Sequence, residues 1–223
     1  MLQRIADDVW AEPRPLRFLG LETGTRMTVV RLAGGGLFVH SPVALDAKTK
    51  DAVDALGRVA AVVAPSLFHH LYVAEWMRAY PAASFSACPG LEKKRADVTW
   101  SAVLGDEPRP EWNGELDQVF FGARSMENEV VFFHRKSRSI VTCDFVFNLA
   151  THPSMLTRGV ARLLGQKAPG VTLLERVLIR NRAAAREQVD RMLAWGADRI
   201  VLAHGDVVES DATEVVRRAY AWL

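Results

Sequence analysis

Four side chains combine the chemistry of a metal centre with positions where a backbone can hold them still. His69 and His70 follow the apolar run Val59-Ala60-Ala61-Val62-Val63-Ala64 after a short turn. Asp144 follows Ser139-Ile140-Val141-Thr142-Cys143, and His204 follows Arg199-Ile200-Val201-Leu202-Ala203. Imidazole and carboxylate ligands suit zinc or iron. Each residue also has a plainer reading. A histidine after a strand is commonly a turn or cap residue, adjacent histidines usually point in different directions, and an aspartate there can satisfy exposed amides. As a set they are harder to dismiss, because a folded sandwich brings widely spaced strand ends to one edge.

The elements that must position them follow from the hydrophobic pattern. Met27–Leu32 and Leu37–His40 flank Gly34-Gly35-Gly36 and predict a hairpin covered on both faces. Asp46 can cap a helix that places Val53 and Leu56 on one face. Further strands are expected at 59–64, 83–87, 119–121, 129–134, 139–143 and 199–203. Helices are expected at about 70–79, 154–165 and 172–195, and in a closing segment that Asp211 would cap. Residues 1–25, with Pro13 and Pro15, read as irregular, and 104–114 as a loop. Strands come first in each half and helices follow. That order predicts an α/β fold of the α+β type, a four-layer αββα sandwich of two mixed sheets with helices outside.

Composition agrees with one domain over residues 1–223. Apolar residues make up 49% and charged residues 24% of the chain, enough for one sizeable core. A formal net charge of +2 offers no basis for a nucleic-acid partner or an acidic membrane surface. Two cysteines, Cys88 and Cys143, form neither a disulfide framework nor a paired metal spacing, which points to a reducing cytoplasm. Cys143, inside an apolar strand, reads as inert. Asp7 and Asp8 precede any apolar run, so no secretory signal is expected. The arginines at 176, 180, 182, 186 and 191 read as a solvated face paired with Glu175, Glu187 and Asp190. Trp10, Trp76, Trp100 and Trp112 read as core.

With the residues in this order, the chain resembles the metallo-β-lactamase superfamily from about Ile5 to His204. Val201-Leu202-Ala203-His204-Gly205-Asp206 resembles its late strand ending in a Gly-His-Gly ligand turn. Ile140-Val141-Thr142-Cys143-Asp144 resembles its strand ending in the bridging aspartate. Pro65-Ser66-Leu67-Phe68-His69-His70 stands where its main motif, His-x-His-x-Asp-His, belongs. The runs 26–32, 37–42, 64–70 and 129–134 resemble an uncharacterised subfamily, a domain of unknown function within that superfamily.

The departures fix what the resemblance implies. If His70 matches the motif's last histidine, His69 occupies the aspartate position, and the first two ligand positions become Pro65 and Leu67. Neither can bind a metal. The mid-chain histidine has no clear counterpart, leaving Glu127, Glu129 or His134 as substitutes. The early strand ends in His40-Ser41-Pro42 instead of an aspartate. One metal position of the superfamily is therefore lost. His69, His70, Asp144 and His204 could rebuild the other, implying one zinc or iron ion at most. On this reading the protein is a mononuclear metal-dependent hydrolase of a small-molecule ester, thioester or lactone, with His69 and Asp144 catalytic. The alternative is a scaffold that keeps the fold, has lost the metal and serves as a binding protein.

Overall fold

The computed structural model describes residues 1–123 and 128–223. The chain forms, in order, β1 (Gln3–Ala6), β2 (Val9–Arg14), β3 (Arg17–Phe18), β4 (Leu21–Glu22), β5 (Thr25–Arg31), β6 (Gly36–His40), α1 (Ala47–Asp54), β7 (Arg58–Ala64), α2 (Val73–Ala79), β8 (Ser84–Ala87), α3 (Leu91–Lys94) and β9 (Ala102–Val103). The second half continues with β10 (Leu116–Phe121), β11 (Glu129–His134), β12 (Ser139–Val141), α4 (Met155–Leu163), α5 (Leu173–Leu178), α6 (Arg182–Leu193), β13 (Arg199–Val201) and α7 (Ala212–Ala219).

These strands make two mixed sheets. The larger has the order β1-β2-β5-β6-β7-β8-β9, the smaller β10-β11-β12-β13, and β3 and β4 form a separate two-stranded hairpin. One apolar core joins Phe38, Val62 and Leu37 of the large sheet to Val130, Phe132, Val141 and Val201 of the small one, and includes Val53 and Trp76 from α1 and α2. A second core lies on the other side of the small sheet, where Val131, Phe133, Ile140 and Ile200 meet Val189 and Met192 of α6 and Val216 of α7. Alternation along β11 explains the split: residues 130 and 132 face the large sheet while 131 and 133 face the helices. Each fully buried Val, Leu, Ile or Phe contributes about 1.5–3 kcal/mol. The four layers are thus helices, sheet, sheet, helices, as the sequence predicts.

Local chemistry explains the boundaries. The Asp46 side chain accepts from Thr49 N and starts α1. Thr172 and Glu175 form a capping box that starts α5. The single helix expected over 172–195 is two helices, because Ile179 turns extended and Asn181 caps α6 through Ala184 N. Asp211 does stand at the N-cap of α7, but with φ of 59° it makes no capping hydrogen bond. The expected irregular N-terminus is instead strand and hairpin. At Pro13, β2 pairs only with β5, so a residue without an N–H fits its outer edge. Trp76 and Trp112 are fully buried, as read. The arginine stretch differs from its expected pairing: Glu175 is spent on the capping box, Arg191 reaches Asp106, and Arg176 and Arg182 lie over the Trp222 ring.

Pairing direction determines where the chemistry collects. β6, β7 and β8 run parallel, and so do β12 and β13. Parallel strands present their C-terminal ends at one edge. His40, Ala64 and Ala87 therefore end side by side, and so do Val141 and Val201. A bridge between Ser66 and Glu129 and a hydrogen bond from Val130 N to Pro65 O stitch the two sheets together at that edge.

Candidate metal centre

Three of the four predicted ligands meet there. His69 Nε2 lies 3.2 Å from His204 Nε2 and 3.4 Å from Asp144 Oδ2, and His204 Nε2 lies 3.1 Å from Asp144 Oδ1. All three residues are buried. A tetrahedron of zinc with bonds of about 2.0–2.1 Å has ligand–ligand edges of about 3.3–3.4 Å. The observed spacings are close to that edge, so the donor set and its geometry fit one zinc or iron ion.

Each ligand is braced from behind. His204 donates through Nδ1 to Gly24 O at 2.8 Å, which leaves the Nε2 lone pair facing the cluster. The Phe147 ring stacks on it at 5.6 Å between centroids. Asn148 N donates to His204 O, and Gly205, at φ +97°, packs so tightly that a Cβ would stand 1.9 Å from Asn148 O. His69 Nδ1 bonds Ser41 Oγ at 2.8 Å, and Ser66 Oγ accepts from His69 N to hold the loop.

Asp144 is set by its neighbours' backbone. Glu129, 1% exposed, accepts from the Thr142 hydroxyl at 2.5 Å, from Cys143 N, and from Asp144 N at 2.8 Å. A single buried carboxylate thus fixes the turn that presents Asp144. Arg26 does the same for the other strand end, donating to Leu202 O and, at 2.7 Å, to Gly205 O. Burial lowers the Arg26 pKa, partly offset by Asp206.

The electrostatics follow. Burial opposes ionisation of Asp144, but the charge of His69 and the hydrogen bonds from both imidazoles outweigh it and hold the carboxyl well below its usual range. Burial likewise disfavours protonated His204, yet the hydrogen bond and charge of Asp144, with Gly24 and Thr23 behind, raise its pKa. An anion between two imidazoles suits a cation in the same space.

His70 is not one of the three. Its Nδ1 lies 3.1 Å from Arg95 Nη1, which also donates to His70 O at 3.0 Å. Burial and the charges of Lys94 and Arg95 push its pKa down to about 4. The imidazole in the cluster is therefore that of His69. Of the proposed substitutes, Glu129 holds the Asp144 turn, while His134 sits at the far end of β11 with Nδ1 at 2.7 Å from Ser137 Oγ. Glu127 lies outside the described residues. Pro65 contributes its carbonyl to Val130 N. Gly24, Arg26 and Ser41 were missed in the sequence; only the left-handed φ of 53° at Ser41, which a sequence does not display, marks that residue as special.

A family model described as a domain of unknown function, DUF4336, matches residues 6–168. The chain belongs to that family. No curated protein matches it in sequence. Among solved structures it is similar to the DIM-1 metallo-β-lactamase, at 14% identity and a TM-score of 0.69, covering 100% of this chain and 96% of that one. It is also similar to a metallo-β-lactamase from Pontibacter korlensis, at 12% identity and a TM-score of 0.68, covering 99% and 98%. A third neighbour is the metallo-β-lactamase FIM-1 from Pseudomonas aeruginosa in its mono-zinc form, at 11% identity and a TM-score of 0.64, covering 100% and 95%. At these identities the likeness establishes the metallo-β-lactamase fold for this DUF4336 protein. Among its described residues no helix is long and apolar enough to cross a membrane.

Proposed function

We propose that this DUF4336 protein is a metal-dependent hydrolase acting on a small ester, thioester or lactone, with one zinc or iron ion held by His69, Asp144 and His204. The spacing of 3.1–3.4 Å among three buried donor atoms carries this reading. A bound ion would polarise an acyl carbonyl and make water a nucleophile near neutral pH.

The chain's own residues supply the rest. Gly24 fixes the His204 tautomer, and Ser41 orients His69. Asp144 supplies the negative charge that a bound cation would require. Phe18 and Phe68, in edge contact at 6.3 Å, stand exposed together with Leu71 on the neighbouring loop, an apolar surface for the substrate's organic part. A cleft of about 380 Å³ is lined by Pro15, Leu16, Arg17, Glu22, Gly24 and His152, and Gly24 is also the residue whose carbonyl accepts from His204. Two cysteines outside any disulfide favour a reducing cytoplasm.

The test is metal content and hydrolysis in untagged protein prepared without chelator. His69→Ala with His204→Ala should lose about one equivalent of metal per chain and all hydrolysis of a panel of chromogenic esters, thioesters and lactones. Unchanged metal content in that double variant sinks the metal assignment. A parent protein that holds no metal and hydrolyses nothing favours the scaffold reading.

A further inference from the structure

Behind the candidate centre lies a second group of possible metal donors. One ligand atom each from His40, Glu129 and Cys143 lies within 4.8 Å of the others. His40 and Glu129 are 1% exposed and Cys143 is fully buried. Among the described residues the Nε2 of His40 has no hydrogen-bond partner. A buried imidazole nitrogen without a partner costs about 1–3 kcal/mol, so such an atom calls for an explanation.

Backbone alternation ties the two groups together. Ser41 braces His69 in the outer centre, and its neighbour His40 belongs to the inner group. Asp144 is an outer donor, and its neighbour Cys143 an inner one. Glu129 belongs to the inner group while its carboxylate holds the amides of Cys143 and Asp144. Two adjacent pairs of residues, from different sheets, thus divide between the same two groups.

We infer that His40, Glu129 and Cys143 form a second, fully buried divalent metal site, distinct from the His69–Asp144–His204 centre and taking a thiophilic ion such as zinc or iron(II). Binding forms a metal–sulfur bond and releases the thiol proton to solvent during folding. Thiolate plus carboxylate neutralise a divalent cation, which is what a dry site demands. A thiolate donor selects zinc or iron over magnesium, calcium or manganese. Burial on all sides makes the site structural, since catalytic sites keep a position open. Such an ion would pin the backbone of both Ser41 and Asp144. The inner site stands whether or not the outer one hydrolyses anything.

Growth in cobalt-supplemented minimal medium, followed by electronic spectroscopy of the untagged full-length protein, tests this inference. A thiolate-to-cobalt charge-transfer band in the near ultraviolet is expected. The chain has two cysteines, so persistence of the band in Cys88→Ala assigns it to Cys143 without disturbing the site. Cys143→Ala should lose the band and about one equivalent of cobalt. His69→Ala with His204→Ala should keep the band while losing the other equivalent. A folded parent protein without the band overturns the inference. So does a band that survives Cys143→Ala, or one that vanishes in the His69/His204 double variant. Should Cys143→Ala fail to fold, the parent and Cys88→Ala spectra decide alone.

Discussion

The two halves of the site edge are built in opposite ways. The turns after β12 and β13 are clamped: Glu129 accepts three hydrogen bonds from residues 142–144, Arg26 donates two to residues 202–205, and Gly205 lies against Asn148 with no room for a methyl group. The loop after β7 is lighter. Its ties are single bonds from scattered partners: Ser66 Oγ accepts from Phe68 N and His69 N, Pro65 O accepts from Val130 N, Lys94 donates to Leu67 O, Ser41 bonds His69 Nδ1, and Phe68 and Leu71 stand in solvent. This loop gives one imidazole, that of His69, to the cluster. The comparison teaches that the clamped half defines the cluster, and that the looser loop adds one imidazole to it.

That contrast can be broken at its strongest point. Gly205→Ala forces a left-handed conformation and a backbone clash, and should cost about 3 kcal/mol or more. Urea denaturation would show it as a lower midpoint; a midpoint within error of the parent would mean that the clamp is slack. Glu129→Ala leaves two buried amides and a hydroxyl without their acceptor and should cost about 2–4 kcal/mol. Arg26→Met comes next: about 1–3 kcal/mol in stability and a 10–100-fold loss of metal affinity, measured by competition with a chromogenic chelator. Full affinity in Arg26→Met would show that His204 needs no brace.

A smaller effect should come from the opposite end of the sandwich. Burial lowers the His134 pKa below 6.5, despite Asp8 and Glu115, which raise it. The native state then resists a proton that the unfolded chain accepts. Stability is complete above about pH 6.5 and falls as pH drops below it, by at most about 1.4 kcal/mol per unit. His134→Gln should flatten that slope in denaturation midpoints taken between pH 7 and 5. Smallest of all is Phe68→Ala on the lighter loop. A residue 45% exposed should change stability by under about 1 kcal/mol, and a rise in KM with kcat unchanged would place it in substrate binding.

The layers and the strand ends were legible because they depend on local pattern. Apolar runs in β5, β7 and β11 and the cap at Asp46 announce themselves over a few residues. The choice between His69 and His70 was not legible: adjacent side chains diverge according to backbone angles, and Arg95, which engages His70, lies 25 residues on. The irregular reading of residues 1–25 fails because Pro13 suggests a breaker in sequence, whereas pairing on one side alone absorbs it. Glu129 reads in sequence as a substitute ligand, but its use as an amide acceptor depends on β11 and β12 lying side by side. Arg26 and Gly24 act on residues near the other end of the chain, and no window of sequence contains both partners.

That distance has a consequence for how the protein comes into being. The bonds that orient His204 span 176 residues from Arg26 to Leu202, 179 to Gly205 and 180 from Gly24. During synthesis the β4–β5 segment therefore leaves the ribosome long before its partner exists, and the site cannot assemble until almost the whole chain has emerged. Contacts of such separation also slow folding, because the entropy of closing the loop is lost before the contact rewards it. The candidate metal centre should be among the last features to form on refolding, after the sheets are in place. Stopped-flow refolding in cobalt would reveal this as a d–d absorption that lags behind the far-ultraviolet circular dichroism.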